Sequence, residues 1–302
     1  MRERSLGSQE VFRVPYLRFR EVYRKYYDNK PWVKLLYHEL LGLKPGITAV
    51  DVGCGTGTFT RYLVALINGH CRILGVEARG SSLRTASLIA RKEGLSRKIS
   101  YRQGNAYDLP LESGFADLAC CRNLLIHIEE PMRAIREMIR ITKSRGIVAA
   151  VEPGLLNIFF DPDDRDFSKR AMEYRTCYLA GIRKLLNVDH AIADRLPSIF
   201  REAGLAEIRT EIQSDVWFPF DPMRNLKDIR AEVEFELRLL DRRMRDTKPF
   251  LIAGGMTSTI IDSFTRRLRQ RLRHMLSSDD VLLNSKTLRI AAFYCVRGRK
   301  LG

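Results

Sequence analysis

The chain has 302 residues, enough for one large domain or two of ordinary size, and its 45% apolar and 29% charged residues are the balance of a water-soluble globular protein. No run approaches the ~18 uninterrupted apolar residues of a membrane span, and the charged start from Met1 to Ser5 leads into no signal-peptide core, so a cytoplasmic location is expected. The net charge of +16 admits nucleic acid, anionic membrane or acidic ligands as partners without choosing among them. The six cysteines, at 54, 71, 120, 121, 177 and 295, form no Cys-x-x-Cys pair. A zinc knuckle or a dithiol redox centre is thereby excluded, and buried reduced thiols with no metal are expected.

In chain order, residues 1–30 are rich in Tyr, Phe and Arg and predict an N-terminal helical segment. Ile47 to Val52 reads as a buried strand, followed by a glycine-rich turn and a helix from about Phe59 to Ile67. A second strand covers Arg72 to Glu77, and a helix from about Ser81 to Glu93 stops at Gly94. Ile99 to Gln103 is a weaker third strand, and Ala116 to Cys121 is a fourth. Met132, Ile135, Met138 and Ile139 recur at helical spacing between Glu130 and Thr142. The fifth strand, Ile147 to Glu152, is expected to stop at Pro153-Gly154. A helix from Leu196 to Ala203, a strand from Leu205 to Ile212 and a last strand from Arg289 to Val296 complete the pattern. Strands alternating with helices predict an α/β fold with a parallel sheet covered on both faces. Two helical insertions, at about 153–188 and 214–286, follow strand ends and are expected to build the substrate side of a pocket.

The most informative stretch is Val50-Asp51-Val52-Gly53-Cys54-Gly55-Thr56-Gly57. An apolar strand feeds three alternating glycines, and a helix starts just beyond. Glycines there permit backbone angles closed to other residues and let a ligand approach the main chain. The helix start adds unpaired N–H groups that favour an anionic group. Glu77 ends the second strand, suitably placed for a carboxylate that accepts both hydroxyls of a ribose. The dinucleotide spacing Gly-x-Gly-x-x-Gly is not met, because Thr58 stands at its last position. Asp51 would repel a pyrophosphate but attract an ammonium or sulfonium.

With its acidic residue and Gly-x-Gly-x-Gly, this segment resembles the first motif of the class I, Rossmann-like S-adenosylmethionine-dependent methyltransferases. The resemblance implies a seven-stranded, mostly parallel sheet with helices on both faces, and helical insertions capping the active site. S-adenosylmethionine is the implied cofactor and S-adenosylhomocysteine its product. By the same resemblance Asp51, Gly53, Cys54, Gly55, Thr56 and Gly57 line the methionine part of the cofactor, and Glu77, with Ala78 beside it, holds the ribose. Gly104 to Pro110 is similar to the family's Gly-Asp-Ala-x-x-Leu-Pro segment and sets Asn105 and Ala106 beside the adenine. Asn stands where Asp is usual, but its carbonyl still accepts from an amino group. Asp117 to Ile128 is similar to the subgroup of ubiquinone- and menaquinone-biosynthesis methyltransferases. The resemblance covers about 31–152, returns near 190–213 and again at 288–300, giving a methyltransferase domain over 31–302 behind the 1–30 lid segment.

Methyl transfer from a sulfonium is an in-line displacement, for which positioning and exclusion of water supply much of the acceleration. A base is needed only if the acceptor carries a proton. His127 and Glu152 are the candidate catalytic residues, each following a strand end; the alternatives are a packing histidine and a capping or ion-paired carboxylate. Arg122 and Asn123 are expected at the pocket floor near the cofactor, with a surface charge as the alternative for Arg122. Tyr16, Tyr23 and Tyr27 are candidate lid residues, and Tyr174 a candidate for the substrate pocket. The leading function is methyl transfer to a small-molecule acceptor. An RNA or protein methyltransferase is the alternative, drawing on the +16 charge and on Arg266, Arg267, Arg269, Arg271 and Arg273. Against it, no Asn/Asp-Pro-Pro-Tyr/Phe follows the fourth strand, and those arginines alternate with Leu268 and Leu272 as one amphipathic helix with a solvated basic face. A cofactor-binding protein without turnover is the third possibility.

Overall fold

The computed structural model describes residues 30–67 and 69–302. The chain opens with α1 (Pro31–Leu41), which Pro31 starts at its first turn and Gly42 ends in the left-handed region. Then come β1 (Thr48–Val52), α2 (Thr58–Leu66), β2 (Arg72–Glu77), α3 (Gly80–Lys92), β3 (Ile99–Gln103) and β4 (Ala116–Arg122). A 3-10 turn over Leu125–His127 leads to α4 (Pro131–Ile141) and β5 (Thr142–Phe160). The remainder is α5 (Arg165–Leu186), α6 (Leu196–Glu202), β6 (Leu205–Trp217), α7 (Leu226–Ala253), α8 (Ser258–Met275), α9 (Asp279–Leu283) and β7 (Leu288–Lys300).

Seven strands form one sheet in the order β3-β2-β1-β4-β5-β7-β6. The first five in that order pair in parallel, and β7 runs antiparallel to both β5 and β6. Strands buried on both faces read as near-continuous apolar runs, which is why β1, β2 and β4 were legible. One face of the sheet packs Val50, Val52 and Cys121 with Ile135 and Met138 of α4. The other packs Ala49, Ile73 and Cys120 with Tyr37 of α1 and Leu63 of α2. Cys54, Cys71, Cys120, Cys121 and Cys295 are buried, Cys177 is half-buried, and none of the six is in a disulfide.

The sheet departs from expectation at its antiparallel side. β5 does not stop at Pro153-Gly154 but runs to Phe160, its pairing with β7 shifting between Pro153 and Asn157. Proline has no N–H to give a ladder, and at a break in pairing none is required. β6 likewise continues to Trp217 and β7 spans Leu288–Lys300. The insertions therefore begin as strands. The three long strands project beyond the parallel part and carry α5, α7, α8 and α9, whose own core includes Trp217, Val233, Leu240, Leu251, Ile261 and Leu272. Asp164, Asn225, Thr257 and Ser278 cap these four helices, each accepting a backbone N–H.

The basic face of α8 is not free in water. Arg267 pairs with Asp164 and Asp166, Arg269 with Asp241, and Arg271 with Asp161 and Asp164. Three of the arginines that suggested a nucleic-acid surface are thus fastened to acids within the insertion. Among the described residues no helix is long and apolar enough to cross a membrane.

Candidate active site

The glycine turn sits at the carboxyl end of β1. Gly53, Gly55 and Gly57 have φ of 71°, 54° and 73°, the left-handed region that glycine enters without steric cost. The N–H groups of Gly53 and Cys54 both donate to the Val76 carbonyl, at 2.7 and 3.0 Å, which ties the turn to β2. A Cβ on Gly53 would come within 2.6 Å of Leu124, and one on Gly57 within 2.2 Å of the Tyr101 hydroxyl. At Gly55 a Cβ would meet nothing within 4 Å, so the middle of the turn faces open space.

Tyr101 was invisible in the sequence. It lies on β3 opposite Gly75 of β2, whose missing side chain lets the phenol cross β2 and lie under the turn. Burial pushes its hydroxyl up to about 12, so it stays protonated.

Glu77 ends β2 with its carboxylate turned to the glycines. Oε2 accepts the Gly55 N–H at 3.1 Å and Oε1 accepts the Arg79 N–H at 3.0 Å. Oε1 also accepts the Arg79 Nε–H at 3.4 Å, so the carboxylate is fixed by three donors and Oε2 is the oxygen that keeps a lone pair for a ligand hydroxyl. Asp51 is 1% exposed and lies behind the turn, where its Oδ2 accepts the Thr60 hydroxyl at 2.6 Å. It shapes the cradle from beneath. Cys54 is buried, its thiol pushed up by burial and by Asp51 and Glu77; Thr56 offers its carbonyl to Arg61 at 2.9 Å, and Ala78 offers its own to Gln103 at 2.9 Å.

The adenine-side segment folds as a tight turn. Asn105 is exposed, with its Oδ1 accepting the Tyr107 N–H at 3.0 Å, and Ala106 packs on the core beside Tyr107. One lone pair of that amide oxygen remains for an amino group. Arg122 does not reach the surface: it is buried over the rings of Phe59 and Tyr37, at 5.4 and 5.9 Å. Asn123, with φ 54°, turns the chain out of β4, and its Oδ1 is buried without a hydrogen-bond partner.

Glu152, at the end of the apolar part of β5, is 0% exposed. Its Oε1 accepts the N–H groups of Leu124 and Leu125 at 2.8 and 2.9 Å, and its Oε2 has no partner. Burial pushes the carboxyl up to about 7, against the downward pull of the Leu125, Leu124 and Ile126 N–H groups. The residue holds the turn that carries Leu124 against Gly53, a capping geometry. His127 is exposed one turn further on, its N–H bonded to the Leu124 carbonyl at 2.9 Å and its ring edge-on to His190 at 5.4 Å. Tyr174 is inside the insertion core, its hydroxyl 2.8 Å from Thr247 and its ring 5.4 Å from Phe264. It is a packing residue of α5 and does not line an open cleft. Tyr16, Tyr23 and Tyr27 lie outside the described residues. Among the described residues no group of His, Cys, Asp or Glu is arranged to hold a metal ion.

Residues 50–150 match the family described as "Methyltransferase domain". This third of the chain is similar to a methyltransferase domain. Among curated relatives, the Gibberella zeae sterol 24-C-methyltransferase is 27% identical over 153 residues, covering 51% of this chain and 39% of that protein. The 2-phytyl-1,4-naphtoquinone methyltransferase of Trichormus variabilis is 25% identical over 184 residues, covering 58% of this chain and 78% of that one. In the first relatives matched the chain spans about half of their length or less. The YcgJ protein of Bacillus subtilis has the same fold, with a TM-score of 0.52 at 16% identity over 89% of this chain and 98% of that one. The cyclase SpnF, with a TM-score of 0.50 at 18% identity over 90% of this chain and 82% of its own, carries the methyltransferase-domain fold too. Fold alone does not fix the reaction.

Proposed function

We propose that the protein is an S-adenosylmethionine-dependent methyltransferase acting on a small-molecule acceptor. The observation that carries this reading is the cradle itself. Three left-handed glycines present open backbone, and the Glu77 carboxylate is fixed against them by the N–H groups of Gly55 and Arg79. A ribose fits an anchored carboxylate, and a cationic sulfonium is favoured over a pyrophosphate with Asp51 and Glu77 so near. The bound cofactor would supply an electrophilic methyl group. The chain's own residues would orient it: Glu77 at the ribose, the 53–57 backbone at the methionine part, and Asn105 and Ala106 beside the adenine.

Acceptor binding falls to the carboxyl end of β4 and β5. The insertion reaches this edge through His190, which touches His127, and Arg175, which donates to the Gly154 carbonyl at 3.3 Å. These contacts support the insertions as the cover that excludes water from the transferred methyl. His127, exposed at this edge, is placed to take a proton from an acceptor, whereas Glu152 acts by holding the Leu124–Leu125 turn. The methyltransferases among the relatives, named for sterol and quinone substrates, support a small-molecule acceptor. The ion pairs of Arg267, Arg269 and Arg271 count against the nucleic-acid alternative.

Calorimetry tests the cofactor: S-adenosylmethionine and S-adenosylhomocysteine should bind saturably and NADH should not. Glu77→Ala should weaken binding tenfold or more, about 1.4 kcal/mol. Unchanged affinity in that variant would sink the cradle assignment. Transfer of labelled methyl into fractionated metabolites, rather than RNA or protein, tests the acceptor class.

A further inference from the structure

A second group of polar side chains meets just beyond the sheet, where α5 crosses the end of β5. Arg175 of α5 is three-quarters of a turn before Tyr178 on the same helix. Its Nη2 donates to the Gly154 carbonyl at 3.3 Å, while its Nε is buried without a hydrogen-bond partner. The His190 ring stands edge-on to both Tyr178, at 6.5 Å, and His127, at 5.4 Å. Of the nearby carboxylates, Asp194 accepts the Tyr294 hydroxyl while its charge also reaches Arg175, and Asp189 pairs with Arg195. Burial and the neighbouring His127 and Arg175 hold the His190 imidazole down at about 4, against the pull of Asp189, so it is neutral at pH 7. Burial likewise disfavours the charge on Arg175.

The cluster adjoins the glycine turn through one short link. Leu124 lies against Gly53, and its carbonyl accepts the His127 N–H. A desolvated guanidinium with a spare donor calls for an oxyanion, and a protonated amine would be repelled by it. The neutral His190 imidazole, the His127 ring and the Tyr178 ring offer flat surfaces for an aromatic body.

We infer that Arg175, flanked by His190, His127 and Tyr178, is the site that recognises an acidic oxygen of an aromatic methyl acceptor. The inference rests on the methyltransferase reading for the meaning of "acceptor", but the binding site it describes can be measured separately. Arg175 holds the oxygen at the mouth of the glycine turn, the imidazoles lie against the ring, and cationic amines are turned away.

Three probes that share one ring test this: a naphthol, a naphthoate and a naphthylmethylamine, titrated into the full chain loaded with S-adenosylhomocysteine. The naphthol and the naphthoate should each bind saturably and at least tenfold more tightly than the amine, a difference of about 1.4 kcal/mol. Arg175→Met should lose tenfold or more of naphthol affinity, Arg175→Lys should recover part of it, and S-adenosylhomocysteine affinity should be unchanged in both. His190→Ala, which removes the ring surface, provides a second variant if Arg175→Met does not fold; it should weaken the naphthol without affecting S-adenosylhomocysteine. Equal binding of the amine, or naphthol and naphthoate affinities indifferent to Arg175 and His190, would each overturn the assignment. If S-adenosylhomocysteine fails to bind, the methyltransferase reading falls, and the naphthol titration of the unloaded protein still decides the subsite.

Discussion

Replacing Glu152 by Gln separates its hydrogen bonds from its charge. The amide oxygen can go on accepting the Leu124 and Leu125 N–H groups, which lie 2.8 and 2.9 Å from Oε1, but the side chain no longer titrates. In the folded wild type the carboxyl is pushed up to about 7 from an ordinary 4.5. Between these values the folded chain keeps a proton that the unfolded chain has released, so stability falls as pH rises through that window. At ~1.4 kcal/mol per unit the whole loss is roughly 3 kcal/mol, complete about one unit above the folded value. The stability of E152Q relative to wild type should therefore grow by about 2–3 kcal/mol from pH ~5 to pH ~8. Every other titrating group is common to both proteins and drops out of the difference. Urea unfolding at the two pH values measures it, with an unchanged slope as the check that both unfold alike. Parallel pH profiles for the two proteins would show that Glu152 is not a strained buried carboxyl, and the argument from its burial would be wrong.

Gly57→Ala should cost at least about 2 kcal/mol, from left-handed strain plus a Cβ directed at the Tyr101 hydroxyl, and the G57A/Y101F double variant should recover part of it in thermal melts. Gly181→Ala places a Cβ 1.7 Å from the Phe250 carbonyl, so α5 and α7 must separate. Hydrogen exchange should speed up across both helices while β1 stays protected. His127→Ala should lower turnover about 100-fold with cofactor affinity unchanged if the acceptor's proton passes to it. Equal loss of melting temperature and no loss of activity per folded molecule would make it a packing residue.

The left half of the sheet was legible because β1, β2 and β4 are buried on both faces and the glycine turn has few structural alternatives. The right half was misread for a definite reason. Pro153-Gly154 carries a strong stop signal, and nothing local reveals that β7 resumes pairing with β5 at Asn157. Arg122 was correctly placed at the end of β4, whereas Glu152 falls inside a β5 that continues to Phe160, and sequence does not distinguish a side chain facing a cleft from one turned beneath it. Tyr101 and Arg175 matter through contacts made across strands or from helix to strand, at Gly75 and Gly154 respectively, and neither lies in a recognisable motif.

The helical insertion has one further consequence, for the chain as it is synthesised. α5 leaves the sheet after β5, whereas its partners α7 and α8 come only after β6. Tyr174 meets Thr247 across 73 residues, and Arg267 reaches back 103 residues to Asp164. When α5 emerges from the ribosome only β5 is there for it to pack against, and the faces of Phe167, Tyr174 and Tyr178 that meet α7 and α8 stay solvated until α8 has followed. At ~5–20 residues per second this exposure lasts on the order of ten seconds, and closure across so long a separation is slow. The half-made protein is thus most open to aggregation after β6 and before α8, and chaperone dependence should concentrate there.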